Sequence, residues 1–352
     1  MTVERSVAAV GLPAQARRAV QRTGQSIFRR GSVLGFALVG VFAAGAIISP
    51  SFLTQSNLQN IMLNVSILGM IALGQTVVML LREIDLSIGS LMAFAPIAAI
   101  ELTEMIYSGP PLIQGGTHVV AGMAAIIALT IAVGALVGLL NGVITVKGLV
   151  PSLIVTLGML YALRGGAYLL SDGHPLYFTD LEGFMWLGTA KAFDIVPVSF
   201  LIFLAIGLLA VVVLRYTKVG PAIYATGGHE KGAIYSGVKT GRWKMIAFVF
   251  AGTCTGVAAL VLCSRLGSVE AAQATGYELS AIAIAVIGGT TLQGGRGTPF
   301  DTMLAAVVLA VVINIIDLEG VVVWYQTIIT GAIIIAAAFV YLIKQRQSRP
   351  AT

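Results

Sequence analysis

Apolar runs of about 20 residues follow one another from residue 32 to 343, separated by short polar breaks. A helix of that length and composition crosses the hydrocarbon core of a bilayer, and the chain has room for about ten. A water-soluble domain is excluded. Of the 352 residues, 57% are hydrophobic and only 10% are charged, too little polar surface to cover a domain of this size. The 41 glycines fit the small-residue contacts of membrane bundles, where lipid supplies no hydrophobic force between helices. The expected fold class is an all-α polytopic membrane protein.

The ten spans are read at 32–49, 58–81, 87–107, 118–146, 151–170, 198–214, 245–263, 279–287 running into the glycine-rich GGTTLQGGRGTP, 300–316 and 322–343. An arginine-rich tail precedes them (1–31), a short basic tail follows (344–352), and the spans form one permease domain (32–343). With both termini in the cytoplasm, only Arg164, Lys191 and Arg265 of the 21 Lys and Arg residues fall in the outer half. That is a strong positive-inside bias, and the acids run the other way.

The longest basic break, 215–244, carries Arg215, Lys218, Lys231, Lys239, Arg242 and Lys244 against the single acid Glu230. It therefore belongs in the cytoplasm. Its centre, 225–238, is expected to fold as one short helix punctuated by glycines. Two roles fit such a helix: a connector resting on lipid headgroups, or a docking element for a soluble partner.

Polar residues inside the apolar runs are the other candidates. In REIDLSIGS, Asp85 or Ser87 is placed to cap the third span and Gly89 to allow close helix approach; the same turn could instead line a pathway. Asn64, Gln75, Asn141 and Asn314 either line that path or join helices by hydrogen bonds. Arg164, within the fifth span, costs roughly 3 kcal/mol at mid-membrane and should snorkel outward or face a carboxylate or an aqueous cavity. Arg265 and Lys191, cations on an acidic outer surface, are candidates for docking a binding protein; for Arg265 an interfacial snorkel is the plainer role. The glycine-rich turn 288–297 lacks the Lys-Ser or Lys-Thr of a phosphate loop, so it reads either as tight helix packing or as unwound backbone covered by protein. Cys254 and Cys263 lie roughly 13 Å apart along one helix, too far for a disulfide, and read as packing residues. His118, His174 and His229 offer no helical metal pair.

Four segments taken together resemble a known family: LGQTVVMLLREIDLSIGS (73–90), GLLNGVITVKGLVPSLIVTLGMLYALRGG (138–166), YATGGHEKGAIYSGV (224–238) and YELSAIAIAVIGGTTLQGGRGT (277–298). They are similar to the permease subunit of ribose/xylose-type ABC importers of bacteria, over about residues 33–343. The resemblance implies a multi-pass subunit of the bacterial inner membrane that works by alternating access and is itself no enzyme. It implies two cytoplasmic ATP-binding subunits, a second permease copy, identical or not, and an external solute-binding protein; nucleic acid is not among the partners. No cofactor is expected on this chain, ATP and Mg being used by the partner subunit. Gly228, His229, Glu230, Lys231, Ala233 and Gly237 are then the residues expected to couple to the ATP-binding subunit. Two departures stand out. Arg82-Glu83 replaces the usual Gly-Gly before I-D-L-S, which bears on substrate identity, and Lys231, Gly232 and Ala233 stand where E-A-A is usual, with Gly237 retained. A secondary transporter is the rival class, and its mark would be an ionisable coupling group near the midplane. An intramembrane enzyme would need a nucleophile with a base or clustered metal ligands, and the sequence shows neither.

Overall fold

The computed structural model describes residues 34–106, 117–177 and 182–322, with isolated positions 325, 328, 329, 331, 332 and 335; residues 117–121 are described by backbone alone. Both tails and nearly all of the expected tenth span lie outside the described residues. Among the described residues, seven helices are long and apolar enough to cross a bilayer. They are α2 (Gln55–Leu80), α3 (Ile88–Ile106), α4 (Thr117–Lys147), α5 (Ser152–Leu170), α7 (Val198–Tyr216), α10 (Thr240–Leu266) and α12 (Pro299–Leu318). The remaining helices are shorter: α1 (Leu34–Ile48), α6 (Glu182–Thr189), α8 (Val219–Gly228), α9 (Glu230–Tyr235) and α11 (Tyr277–Ile287).

The eighth span departs most from expectation. Its helix, α11, has 11 residues, about 16 Å, which is half a bilayer crossing. Gly289, at φ 84°, ends it by turning left-handed, with Gly289 N–H donating to Val286 O (2.8 Å) and Thr290 N–H to Ala285 O (2.9 Å). This pair of bonds is the Schellman stop, which leaves the helix no way to continue. At the other end of the hairpin, α12 starts on Thr298, whose hydroxyl accepts from Asp301 N–H (3.0 Å), with Pro299 in its first turn.

Packing sorts the spans into an inner and an outer set. The apolar windows of α2, α10 and α3 are 83%, 72% and 67% buried, whereas those of α4, α5 and α7 are between 22% and 28% buried and present apolar faces outward. The closest seam joins α4 to α10. Gly134, Gly138 and Gly142 recur every four residues on α4, and a Cβ on Gly134 would run into Gly252 O, one on Gly138 into Phe248 O and one on Gly142 into Met245 Cα. Such spacing lets two backbones touch, and the contact area gained replaces the missing hydrophobic force. At the opposite edge, Asn57 and Asn314 exchange amide hydrogen bonds of 2.9 and 2.7 Å, joining the start of α2 to the end of α12.

The all-α reading omits two small ladders. Leu176–Tyr177 (β1) pairs antiparallel with Ser268–Val269 (β4), and Lys191–Ala192 (β2) with Val196–Pro197 (β3). Both lie in the long polar connections at the end of the bundle remote from the basic loop. There Ser264 Oγ accepts from Gly188 N–H and donates to Phe184 O, both at 2.6 Å, fastening α6 to the end of α10.

Candidate functional site

The basic break folds as two helices rather than the single one expected at 225–238. α8 begins earlier, at Val219, and the chain leaves helical geometry at His229 (φ −155°, ψ 90°) before α9 starts. His229 serves both sides of the break: its N–H donates to Ala225 O (3.0 Å), and its Nδ1 accepts from Gly232 N–H (2.8 Å), capping α9. α9 stops after Tyr235 because Gly237 adopts φ 81°, with Gly237 N–H to Ile234 O (2.9 Å) and Val238 N–H to Ala233 O (3.0 Å). Ala233 is buried and Lys231 is exposed, while Ile234 and Tyr235 stand 53% and 90% exposed on the outer side of α9. A shallow groove lined by Ala225, Gly228, His229, Gly232, Ala233 and Ser236 runs beside them.

The helix pair rests on the glycine-rich turn, two stretches that the sequence presents as separate. Gly295 N–H donates to Leu80 O (2.8 Å), and a Cβ on Gly227 would strike Leu80 O and come within 2.7 Å of Gly295 N. Gly294 lies against Arg82 and Gly227 O, and Gly295 against Gly228. Tyr224 closes the seam by donating its hydroxyl to Gly297 O (2.9 Å). Burial, with the Asp301 carboxylate nearby, pushes that hydroxyl up to about 12, so it keeps its proton and remains a donor at physiological pH. Of the two readings of 288–297, the structure gives the turning backbone covered by protein. A pair of adjacent glycines in each stretch was the only sequence signal of their contact.

The departure at Arg82-Glu83 acquires a physical description. Arg82 sits at φ 66°, a left-handed conformation that glycine adopts freely and that costs another residue about 1–2 kcal/mol. Arg82→Gly is therefore expected to raise stability, by about 0.5–1 kcal/mol once the greater freedom of glycine in the unfolded chain is subtracted, read as a higher unfolding midpoint in detergent. Glu83 is paired: Lys244 Nζ lies 2.8 Å from Glu83 Oε1 and 2.8 Å from Glu230 Oε1.

Residues 83–87 form a non-helical strap between α2 and α3, bonded to α5. Ile84 N–H donates to Ser152 Oγ (3.2 Å) and Thr156 Oγ1 donates to Ile84 O (3.3 Å). Deeper along the strap, buried Asp85 accepts from Ser87 N–H (2.9 Å) and Ser87 Oγ (2.6 Å), which orients Ser87 at the head of α3, and Asn141 Nδ2 donates to Ser87 Oγ (3.0 Å). Asp85, Ser87 and Asn141 thus form one cluster from two chain segments, the strap and α4. Gln75 is fully buried, and neither of its amide atoms has a partner within the described chain; Asn141 Oδ1 is likewise unpartnered. Gly89 fulfils its expected part, since a Cβ there would press on Ala274 O and Glu278.

The remaining candidates fall elsewhere. Asn64 accepts from Arg265 (2.7 Å), so these two residues, expected in different roles, hold α2 to the end of α10. Asn314 belongs to the clasp with Asn57. Lys191 is exposed on β2. Arg164 reaches the outer turn before α11, where its guanidinium donates to the carbonyls of Ala271 and, at 2.9 Å, Gln273, pinning that turn to α5, with the Glu278 carboxylate acting on it from the start of α11. Cys254 and Cys263 are buried and free, and among the described residues no three His, Cys, Asp or Glu side chains are grouped to hold a metal.

A bundle of long apolar helices with a short helix pair seated across its basic end is the architecture of a transport-system membrane component. The chain belongs to the family described as branched-chain amino acid transport system / permease component, which it matches over residues 57–338. It is 34% identical to the ribose import permease protein of Escherichia coli (strain K12) over 307 residues, 86% of this chain and 91% of that one. It is 33% identical to the L-arabinose ABC transporter permease protein of Azospirillum brasilense, covering 96% and 93% of the two chains, and 30% identical to the D-allose transport system permease protein of E. coli K12, covering 86% and 88%. In fold it is similar, at TM-score 0.53 and 15% identity, to a solved chain described as an inward-facing conformation of an ABC transporter assigned to the metal-chelate type, with 89% of this chain and 99% of that one covered. The resemblance read from the four sequence segments is borne out.

Proposed function

We propose that the chain is the membrane-spanning subunit of an ATP-driven importer for a sugar or related small polar solute. The observation that carries this reading is the α8–α9 pair, seated by backbone contact on the end of α2 and on the turn 288–297, with Ile234 and Tyr235 left bare for a partner. In this reading the basic end faces the cytoplasm of a bacterium, the chain lies in the inner membrane, and Gly228, His229, Glu230, Lys231, Ala233 and Gly237 form the seat for an ATP-binding subunit. Two such subunits use ATP and Mg, a second permease copy completes the membrane part, and a binding protein delivers solute to the opposite face. Gln75, Asp85, Ser87 and Asn141 are the polar groups set to meet a hydrated solute inside the bundle. Sugar as substrate class rests on the relatives named for ribose, L-arabinose and D-allose.

The test is uptake by proteoliposomes holding this chain with its ATP-binding subunit and binding protein, offered labelled ribose, arabinose or allose. ATP inside the vesicles is expected to be required, and an ion gradient alone to drive nothing. Uptake driven by a gradient without ATP would move the chain to the secondary transporters.

A further inference from the structure

Three basic-end elements are joined by one lysine. Lys244 projects from the first turns of α10 and holds Glu83, at the head of the strap 83–87, and Glu230, the first residue of α9, each at 2.8 Å. The Lys244 and Glu83 side chains are only 14% and 12% exposed, so solvent screens this pair little. From Glu83 the connection continues along the main chain: Ile84 is bonded through its N–H to Ser152 and through its carbonyl to Thr156, both on the first turns of α5. α5 is among the least enclosed of the spans, its window 22% buried, with Val155, Leu163 and Ala167 as its buried apolar contacts. A cleft bordered by Glu83, Thr145, Leu149, Pro151, Glu230 and Lys244 leaves space beside the link for the helix pair to shift.

We propose that the Glu230–Lys244–Glu83 bridge is the link by which movement of α9 reaches the strap 83–87 and, through Ser152 and Thr156, the span α5. This rests on the reading of α8–α9 as the seat of an ATP-binding subunit. Every element of the connection has a fixed contact at each end, which is the physical requirement for transmitting displacement through a packed protein. Glu83 is a residue the sequence marked as unusual; in the structure it supplies one end of the link.

The test places a reporter on α5 and needs no transported solute. Leu153→Cys sits in the first turn of α5, at the basic end beside Ser152 and 50% exposed, and the native Cys254 and Cys263 are buried. In the complex with the ATP-binding subunit, the rate of maleimide labelling at 153 is measured with and without a non-hydrolysable ATP analogue. The analogue is expected to change that rate in the otherwise unmodified complex. Glu83→Gln and Glu230→Gln are each expected to shrink the change by about 2- to 30-fold, and the double variant to be no worse than the more severe single one, since both cut the same link. Lys244→Met should match them. A response to nucleotide that survives in the variants overturns the bridge, as does an unmodified complex that binds nucleotide without a change at 153. A Gln variant that no longer assembles would mark the contact as a static clip and also overturn it. Failure of the unmodified chain to associate with the ATP-binding subunit would instead strike out the underlying functional reading, and the bridge with it.

Discussion

Gly227→Ala is expected to destabilise the protein and unseat α8, although alanine is the better helix former by about 1 kcal/mol. The position lies inside α8, so propensity alone predicts a gain. Packing predicts the reverse. The new methyl group would be driven into Leu80 O, and within 2.7 Å of Gly295 N, and both are main-chain atoms that cannot swing aside. Overpacking of this kind costs about 1–3 kcal/mol, and here it would also stretch the 2.8 Å bond from Gly295 N–H to Leu80 O. The neighbouring glycine is the control. A Cβ on Gly228 meets nothing within 4 Å, so Gly228→Ala should leave the unfolding midpoint unchanged or slightly raised. If both variants unfold at the parent temperature in detergent, the glycine seam is looser than its geometry and the helix pair is not held by it.

That contrast shows what a single sequence carries and what it omits. The apolar runs placed α5 and α7 almost to the residue, because bilayer thickness fixes helix length and polar breaks fix the ends. The ninth span, expected from 300, starts one residue earlier, at Pro299 behind the Thr298 cap. The glycine pairs at 227–228 and 294–295 were equally visible, yet nothing local says that they meet each other, since their contact closes across more than sixty intervening residues. The strap 83–87 was read as a turn because Arg82, Glu83 and Asp85 interrupt an apolar run. Its course is held by Ser152 and Thr156, polar groups on a helix that the sequence presents as an ordinary span. Arg164 illustrates the same limit: its cost in the membrane was legible, but the carbonyls of Ala271 and Gln273 that satisfy it were not. Glu83 stands in the sequence beside Arg82, whereas its ion-pair partner is Lys244 on another helix.

Gly237→Val is expected to abolish the seat for the ATP-binding subunit while leaving the spans folded. Two costs could act at this position, a clash against the partner's surface and resistance to positive φ, and the chain itself supports the second. Gly237 stands at φ 81° with open space around its missing Cβ, so no neighbour among the described residues forbids a side chain there. What forbids valine is the backbone. The left-handed conformation costs an ordinary residue about 1–2 kcal/mol, and β-branching adds to it. That is enough to undo the two bonds from Gly237 and Val238 that stop the six-residue α9. With them lost, Ile234 and Tyr235 would no longer be presented together. Gly237→Asn separates the two costs, since asparagine tolerates the left-handed region but is nearly as bulky as valine. Binding of the ATP-binding subunit to membranes carrying each variant should fall by about tenfold or more for valine, the equivalent of about 1.4 kcal/mol, and remain near the parent value for asparagine. Equal loss with both would show that the partner surface closes on residue 237 itself. Retention with both would mean that the end of α9 plays no part in the seat.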